Sequence, residues 1–336
     1  MSQSVQTGLP VSIIVGMRNS ASTIIPCLEG LIVQTYPIAE IIVIDNVSTD
    51  NSVALVIDFQ KRSPVPLRLV EQVVNGGLAT SYNTGAALAV SPLLVFAHSD
   101  SLLPSPHDLG RLVAPVISSP DVVASYPTLA MPKEVWIRFP YWQKYLFAPV
   151  AMREIASMCG KFDCVRKETF LQVGGHNVKR FTAACGYGGE DSDLTSRLSK
   201  KGHVILSDAM VIHLHDLSSA YGLHSLFSTR KLLARTYGKT LVFQGLFPLV
   251  GKIPVFVKPA LACLPLVSQM FGLSVVAVFV FSLVYSRRMY TSRCTLFDRR
   301  IWLVPFVDWA LIYYETFWFL EGLLTPPADA GRRQKI

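Results

Sequence analysis

Charge is scarce in this sequence. Only 16% of its 336 residues are Asp, Glu, Lys or Arg, against 51% apolar ones, a balance too apolar for an ordinary soluble enzyme, so part of the surface is expected to meet lipid or a partner. Paired cysteines are missing too. The six present (27, 159, 164, 185, 263 and 294) form no CxxC pair, which signals neither a zinc site nor a disulfide framework and suits a reducing compartment. The opening "MSQSVQTGLP" has no basic stretch and no apolar core of the kind a secretory signal needs, so the catalytic part is expected to be cytoplasmic. No internal repeat and no low-complexity segment interrupts the chain.

The charge that is present is unevenly placed. The formal net charge is +8, yet residues 1–225 hold 17 basic against 18 acidic side chains, whereas residues 226–336 hold 14 against 5. Those tail cations flank long apolar runs, which points to anionic membrane lipids as the partner and away from nucleic acid.

Along the chain, "VSIIV" (11–15) and "IIVID" (41–45) are short β-branched runs separated by "TIIPCLEGLIVQTYP", whose apolar residues recur at helical spacing before a proline. That order predicts a β-α-β unit and the start of a parallel sheet. "SVALVIDFQKR" continues as a helix, "LRLVEQ" as a strand, "NGGLATSYNTGAALAV" as a Gly-rich turn entering a small-residue helix, and "LLVFAHSD" as the next strand. Asp45 and Asp100 fall at strand ends, where open α/β sheets bind ligands, although a strand-end aspartate also serves as a helix cap. From about 120 to 225 the reading is more mixed, with "VASYPTLA" as a strand and "MPKEVWIRFPYWQ" as loop.

The tail changes character after 240. Residues 259–285 contain no charged side chain, and about 20 apolar residues suffice to cross a bilayer. Positive charge on both flanks favours a shallow hairpin broken near Pro265 or Gly272, or a monotopic arrangement, which keeps every basic segment on one side, over a single crossing; a packed soluble helical subdomain is the alternative that the uncharged run disfavours. "IWLVPFVDWALIYYETFWFLEGLL" carries Asp308, Glu315 and Glu321 among aromatics and reads as an interfacial helix.

Several ordered motifs resemble glycosyltransferase family 2. "VIDNVSTDNS" is similar to the family's strand-end acidic pair, with Asp45 in the nucleoside-contacting place and Asn46 where many members have a second aspartate. "NGGLATSYNTG" resembles the segment beside the nucleotide, with Asn83 as its side-chain candidate. "HSDS" stands where the family has its DxD motif: Asp100 keeps the metal-contacting place and His98 replaces the first aspartate. "FLQVGGHNVKRF" puts His176 in an aromatic place, and "GYGGEDSDLTSRLSKKGHVI" resembles the Glu-Asp-x-Asp block, in which Asp191 corresponds to the general base while Glu190 and Asp193 support it. "AMVIHLHD" resembles a strand ending in a histidine that completes a metal shell, with His213 the better match and His215 the near alternative, both on one strand face.

The resemblance covers about residues 10–216. It implies a GT-A fold, an α/β doubly wound mixed sheet, as a catalytic domain over 1–225, with 10–105 its nucleotide-binding half and 106–225 its acceptor and catalytic half. Residues 226–336 then form a hydrophobic helical, membrane-associated region. It further implies an enzyme moving a single sugar, with inversion, from a nucleoside-diphosphate sugar donor to a hydroxyl of a lipid-linked or other saccharide acceptor, aided by Mn²⁺ or Mg²⁺ on Asp100, His213 and His98. A polyprenyl-phosphate sugar transferase and a catalytically inactive nucleotide-binding scaffold are the rivals. The Gln-x-x-Arg-Trp motif of processive synthases does not occur, nor does the Gly-rich Arg/Lys signature of a nucleotidyltransferase after the first strand.

Overall fold

The computed structural model describes residues 8–179, 181, 189–215, 221–243, 253–264 and 271–325. The β-branched runs are strands: β1 (Val11–Met17), β2 (Ile38–Asp45), β3 (Leu67–Glu71) and β4 (Leu93–His98), separated by α1 (Ile24–Ile32), α2 (Ser52–Gln60) and α3 (Leu78–Leu88). These strands lie parallel in the spatial order β3-β2-β1-β4. Their side chains alternate between two cores. Ile13, Val15, Ile41, Val43 and Val95 face one side with α1 and α2 residues such as Leu28 and Phe59, while Ile14, Ile42, Ile44, Leu94 and Phe96 face the other with Tyr82 and Ala86 of α3. A sheet covered on both faces has no use for polar alternation, which is why these strands read as unbroken apolar runs.

Beyond β4 the chain forms β5 (Ser101–Leu102), α4 (Asp108–Ser118) and β6 (Val122–Ala130), then α5 (Lys133–Trp136), α6 (Tyr141–Phe147), β7 (Glu154–Ala156), β8 (Phe162–Arg166), α7 (Lys167–Gln172), α8 (Glu190–Leu198) and β9 (His203–His213). β8 runs antiparallel between β4 and β6, β9 lies parallel to β6, β5 pairs antiparallel with β9, and β7 hangs on β6. The result is a nine-stranded mixed sheet. Because β1 connects to β2 on one side and borders β4 on the other, the strand order reverses beside β1, and the crevice beyond its carboxyl end is the expected ligand position. Gly16 of β1 is in register with His98 of β4 there.

The chain divides into two compact units. The first holds the sheet with α1–α4, α7 and α8; the second holds α5, α6, α9 (Leu223–Phe243), α10 (Ile253–Cys263), α11 (Phe271–Tyr285), α12 (Arg287–Thr291), α13 (Arg293–Leu296), a 3-10 turn (Arg299–Leu303) and α14 (Val304–Leu324). The stretch "MPKEVWIRFPYWQ", expected as loop, contributes two short helices, and residues 133–151 belong to the second unit. Within that unit α9 and α14 approach backbone to backbone. A Cβ on Gly238 would lie 2.2 Å from the Phe319 carbonyl oxygen and one on Gly322 would lie 2.3 Å from that of Arg235, so neither position has room for a side chain.

The polarity of α11 and α14 is inverted relative to a water-facing helix. Asp308 is 2% exposed and Ser274, Ser282 and Ser286 are buried, whereas Phe279, Val280 and Val284 of α11 and Phe306, Trp309 and Phe317 of α14 are exposed, as is Trp302, which is 80% exposed. Asp308 accepts hydrogen bonds from the hydroxyls of Tyr145, Ser282 and Ser286. Burial raises its pKa despite these donors. The polar groups satisfy one another inside the bundle, and the large apolar side chains are left outside.

The described helices within the uncharged run at 259–285 are the end of α10 and the whole of α11. α10 ends at Cys263 and α11 begins at Phe271, and a 15-residue helix is about 22 Å long, short of a hydrocarbon core of about 30 Å. No described helix is long and apolar enough to cross a membrane. Of the two expected break points, Gly272 lies in the first turn of α11 and Pro265 falls outside the described residues.

Candidate active site

Three side chains that are remote in sequence meet at the end of β4. His98 is the last residue of that strand, Asp100 occupies the following turn, and the β5–β9 ladder sets Ser101 opposite His213, with the Leu214 N–H donating to the Asp100 carbonyl at 2.9 Å. His213 Nε2 consequently lies 2.8 Å from Asp100 Oδ2, and His98 Nδ1 lies 3.8 Å from Asp100 Oδ1. One ligand atom from each of the three falls within 4.8 Å of the others. The short His213 contact is not aligned as a hydrogen bond: His213 Nε2, His98 Nε2 and Asp100 Oδ1 are all buried without a hydrogen-bond partner. Three ligating side chains this close together, with polar atoms left unpartnered, fit a cation.

Electrostatics agrees with that fit. Burial, with the Lys161 ammonium close by, pushes His98 down to about 3, so its imidazole is neutral and keeps a lone pair. Burial works against ionisation of Asp100, but His213, His98 and His215 outweigh it and hold the carboxyl below the usual range. His215 does not share the strand face as expected. β9 ends at His213, His215 takes a left-handed backbone at φ 56°, and its ring packs on His213 with centroids 3.7 Å apart.

Asp191 reaches the same place from the first turn of α8. The link is Gly160, whose positive φ of 69° bends the chain into the site; a Cβ there would lie 3.2 Å from Asp191 Oδ1, 3.2 Å from the Tyr82 ring and 3.6 Å from His98 Nε2. Only glycine combines that conformation with that closeness. Tyr82, fully buried, fixes the turn by donating to the Gly160 carbonyl at 2.6 Å, and Asp163 accepts the N–H groups of Cys159 and Gly160. Burial, then Glu190 and Asp163, push the Asp191 carboxyl well above the usual range, with Lys161 opposing them. Lys161 itself stays charged: burial disfavours its ammonium, but Cys159, Asp191, Asp100 and Asp163 outweigh that. Asp193 takes Arg197 at 2.9 and 2.6 Å, and Arg197 also donates to the carbonyls of Val173 and Gly175, clamping α8 against the glycine turn.

The remaining sequence candidates build the rim of the crevice. Asp45 closes a tight turn by accepting from the Ser48 N–H and hydroxyl. Asn46 donates to Asn75 at 2.8 Å and accepts from the Gly76 N–H at 3.1 Å, tying β2 to the Gly-rich loop. Asn83 is engaged on both sides of its amide by the backbone of His176, at 2.8 Å each way, so its task here is to hold that loop. Lys161, Gly160 and Tyr82 carry no sequence signal that separates them from other residues of their type, whereas Arg197 is the arginine of the Glu-Asp-x-Asp-Leu-x-x-Arg-Leu block.

His176 occupies its aromatic place as an aromatic. Its ring packs on Tyr82, Phe96 and Phe170 at 5.5 to 5.8 Å, and both ring nitrogens are buried without partners. Burial, with Arg197 second, pushes it down to about 3. His176→Phe is therefore expected to stabilise the fold by about 1–2 kcal/mol at neutral pH, because the packing stays and two unsatisfied atoms go. The unfolded histidine protonates near 6.5 and the buried one resists, so wild-type stability is lost as pH falls from that value toward 3 and the advantage of the variant grows on acidification. Thermal melts across that range check both the sign and the trend.

A mixed sheet with a His/Asp cluster at its switch point and an acid-rich helix start beside it defines a GT-A-like α/β fold. Residues 12–169, just under half of the chain, match the family described as Glycosyl transferase family 2. Its relatives include the glycosyltransferase alr2836 of Nostoc sp. PCC 7120, 30% identical over 115 residues that make up 34% of this chain and 35% of that one. Another is the glycosyltransferase GlyG of Streptococcus pneumoniae serotype 4, 30% identical over 28% of this chain and 31% of that one. The match thus spans about a third of these relatives' own length. Among solved structures, the mannosyltransferase PcManGT of Pyrobaculum calidifontis, in complex with GDP-Man and Mn²⁺, aligns with a TM-score of 0.57 at 18% identity over 93% of this chain and 87% of that one. GalNAc-T7 with UDP, GalNAc and Mn²⁺ aligns with a TM-score of 0.50 at 15% identity, over 73% and 53% of the two chains. Likeness at such identity speaks for the fold.

Proposed function

We propose that this protein is an inverting glycosyltransferase that moves a single sugar from a nucleoside-diphosphate sugar to a hydroxyl of a membrane-associated saccharide acceptor, at the cytoplasmic face. The observation that carries the reading is the convergence of His98, Asp100 and His213, with Asp191 beside them across Gly160. A divalent cation on the triad would neutralise the departing diphosphate. Two imidazoles and one carboxylate are a softer donor set than Mg²⁺ prefers, which favours Mn²⁺. Both PcManGT and GalNAc-T7 were solved with Mn²⁺ and a nucleotide.

In this reading Asp191 takes the proton of the acceptor hydroxyl as that oxygen attacks the anomeric carbon. A carboxylate raised above its usual range by burial and by Glu190 is a stronger base than an exposed one. Lys161 supplies fixed positive charge between the two acidic positions. Asp45 and Asn46, with the loop they tether, form the nucleoside side of the crevice, and Asn83 acts on it through the His176 loop.

The membrane part of the proposal rests on the inverted helices. Exposed Phe, Val and Trp side chains on α11, the 3-10 turn and α14 surround a groove of about 990 Å³ between Val275, Phe279, Leu283, Trp302, Phe306 and Trp309. Exposed Arg287, Arg293 and Arg299 stand in the same segment, an arrangement suited to lying in an anionic interface.

Calorimetric titration with UDP, GDP and dTDP, each with and without Mn²⁺ or Mg²⁺, tests the catalytic reading. Cation-dependent binding of one nucleotide is the expected result. Failure of all of them to bind would sink the proposal.

A further inference from the structure

The second unit holds a small pocket with charged side chains in its lining that the transfer reaction does not use. About 250 Å³ in volume, it is lined by Arg230 of α9, Lys258 of α10, Tyr285 at the end of α11 and Glu315 of α14, with Tyr237 and Phe319 in its wall. Lys258 Nζ donates to Glu315 Oε1 at 2.7 Å and Arg230 Nη2 donates to the Tyr285 hydroxyl at 2.6 Å. Arg230 Nε stands 3.7 Å from the same Glu315 oxygen, too far for a hydrogen bond, and is buried with no hydrogen-bond partner. The side chains of Arg230, Lys258 and Glu315 are 11%, 13% and 14% exposed. Two cations therefore share one carboxylate, and the lining carries one uncompensated positive charge away from bulk water. Asp308 does not line this pocket: its oxygens accept from Tyr145, Ser282 and Ser286, and burial raises its pKa although the Lys258 charge acts on it.

A buried guanidinium with an unused N–H and an excess charge costs stability until an anion completes it. A guanidinium and an ammonium set side by side are the donors that phosphate oxygens take. Charge then decides which phosphate. A phosphomonoester carries about −1.5 to −2 at neutral pH and would leave a net negative site beside Glu315, whereas a phosphodiester carries a single charge and matches the lining; in a zwitterionic phosphatidylcholine that charge is accompanied by a quaternary ammonium, which Arg230 and Lys258 repel. The helices that form the pocket also turn large apolar side chains outward, as α11 does with Val280 and Val284 and α14 with Phe317. We propose that this pocket binds the phosphodiester headgroup of an anionic phospholipid and so makes the second unit selective for anionic membranes, an inference that rests on the membrane reading above.

The test is flotation of the full-length protein with vesicles of phosphatidylcholine alone or mixed with phosphatidylglycerol, at physiological and at high salt. Exposed arginines attract anionic vesicles through a field that salt screens; a site shielded from water is screened far less. Wild type is expected to keep a preference for phosphatidylglycerol of about tenfold at high salt, as a charge-assisted hydrogen bond to a buried group predicts. Lys258→Gln should lose that preference, while Lys258→Arg and the exposed control Lys61→Gln, in the first unit, should keep it. If Lys258→Gln fails to fold, Tyr285→Phe, which removes only the hydroxyl that holds Arg230, takes its place. A preference that vanishes with salt in wild type, or survives in both Lys258→Gln and Tyr285→Phe, overturns the headgroup site and leaves the membrane reading standing. Failure to float with either vesicle overturns both. Inorganic phosphate that raises the melting temperature of wild type but not of Lys258→Gln, without any vesicle preference, assigns the pocket to a soluble oxyanion and overturns the lipid source.

Discussion

Asp191→Asn is expected to lower sugar transfer by about 10²- to 10⁴-fold, the usual worth of a positioned general base, while leaving nucleotide affinity within about twofold. The substitution keeps the shape of a side chain that lies against Gly160 and removes its ability to accept a proton. The loss should fall on kcat and spare the donor KM, because the donor binds before any proton moves. A pH profile separates this role from a structural one. Burial, Glu190 and Asp163 raise the Asp191 carboxyl, so the base is protonated and idle at pH values where an exposed aspartate is already ionised. The wild-type rate should accordingly rise with pH through a limb well above the ordinary aspartate range, and that limb should be missing from the residual activity of the variant. Full activity in Asp191→Asn would refute the assignment and favour transfer to a phosphate oxygen, an acceptor that hardly needs a base.

The second large effect is expected from Asp100→Ala. Wild type should bind its nucleoside diphosphate more tightly with Mn²⁺ than with Mg²⁺, and the variant should lose roughly 100-fold or more of the cation-dependent part, since loss of an inner ligand exceeds the 10- to 100-fold typical of a supporting partner. The fold should survive: the backbone carbonyl of Asp100, which receives the Leu214 N–H, is untouched, and the His98 and His213 rings remain 5.8 Å apart on their own strands. Calorimetry with and without each cation reads the effect, and a thermal melt confirms folding. Equal, cation-independent binding by wild type and variant would remove the triad from the proposal.

How far the sequence spoke differs by element. The strands of the parallel half were legible because β-branched runs such as "VSIIV" and "IIVID" can only be buried on both faces. Asp100 and His213 were legible as motif positions, but their meeting depends on the pairing of Ser101 with His213, a contact between distant segments that no local period announces. For the same reason Lys161 and Gly160 stayed invisible, since their importance lies in what lies across from them. α5 and α6 were read as loop because helices of four and seven residues are too short to show a 3.6-residue period. Asp45 and Asn46 were rightly placed at a strand end, where their side chains turn out to hold the rim loops. In the tail, periodicity tells which residues share a face and is silent on which face meets the bundle. That is how the inward position of Asp308 and Ser282 escaped a reading based on hydropathy.

The ladder between β5 and β9 also bears on how the chain reaches its native state. Contacts between distant segments close late, because loop entropy must be spent before they return anything. β5 is the last strand in the order of the sheet and β9 is its strand partner, so the triad is complete only when that edge has docked. Whatever the triad binds must then stabilise the closed edge and not the open one, by mass action. A chain ending before β9 would keep the four parallel strands and two of the three ligands and hold no complete site. Occupancy of the triad would thus register completion of the sheet, with slowed amide exchange along β9 as its trace.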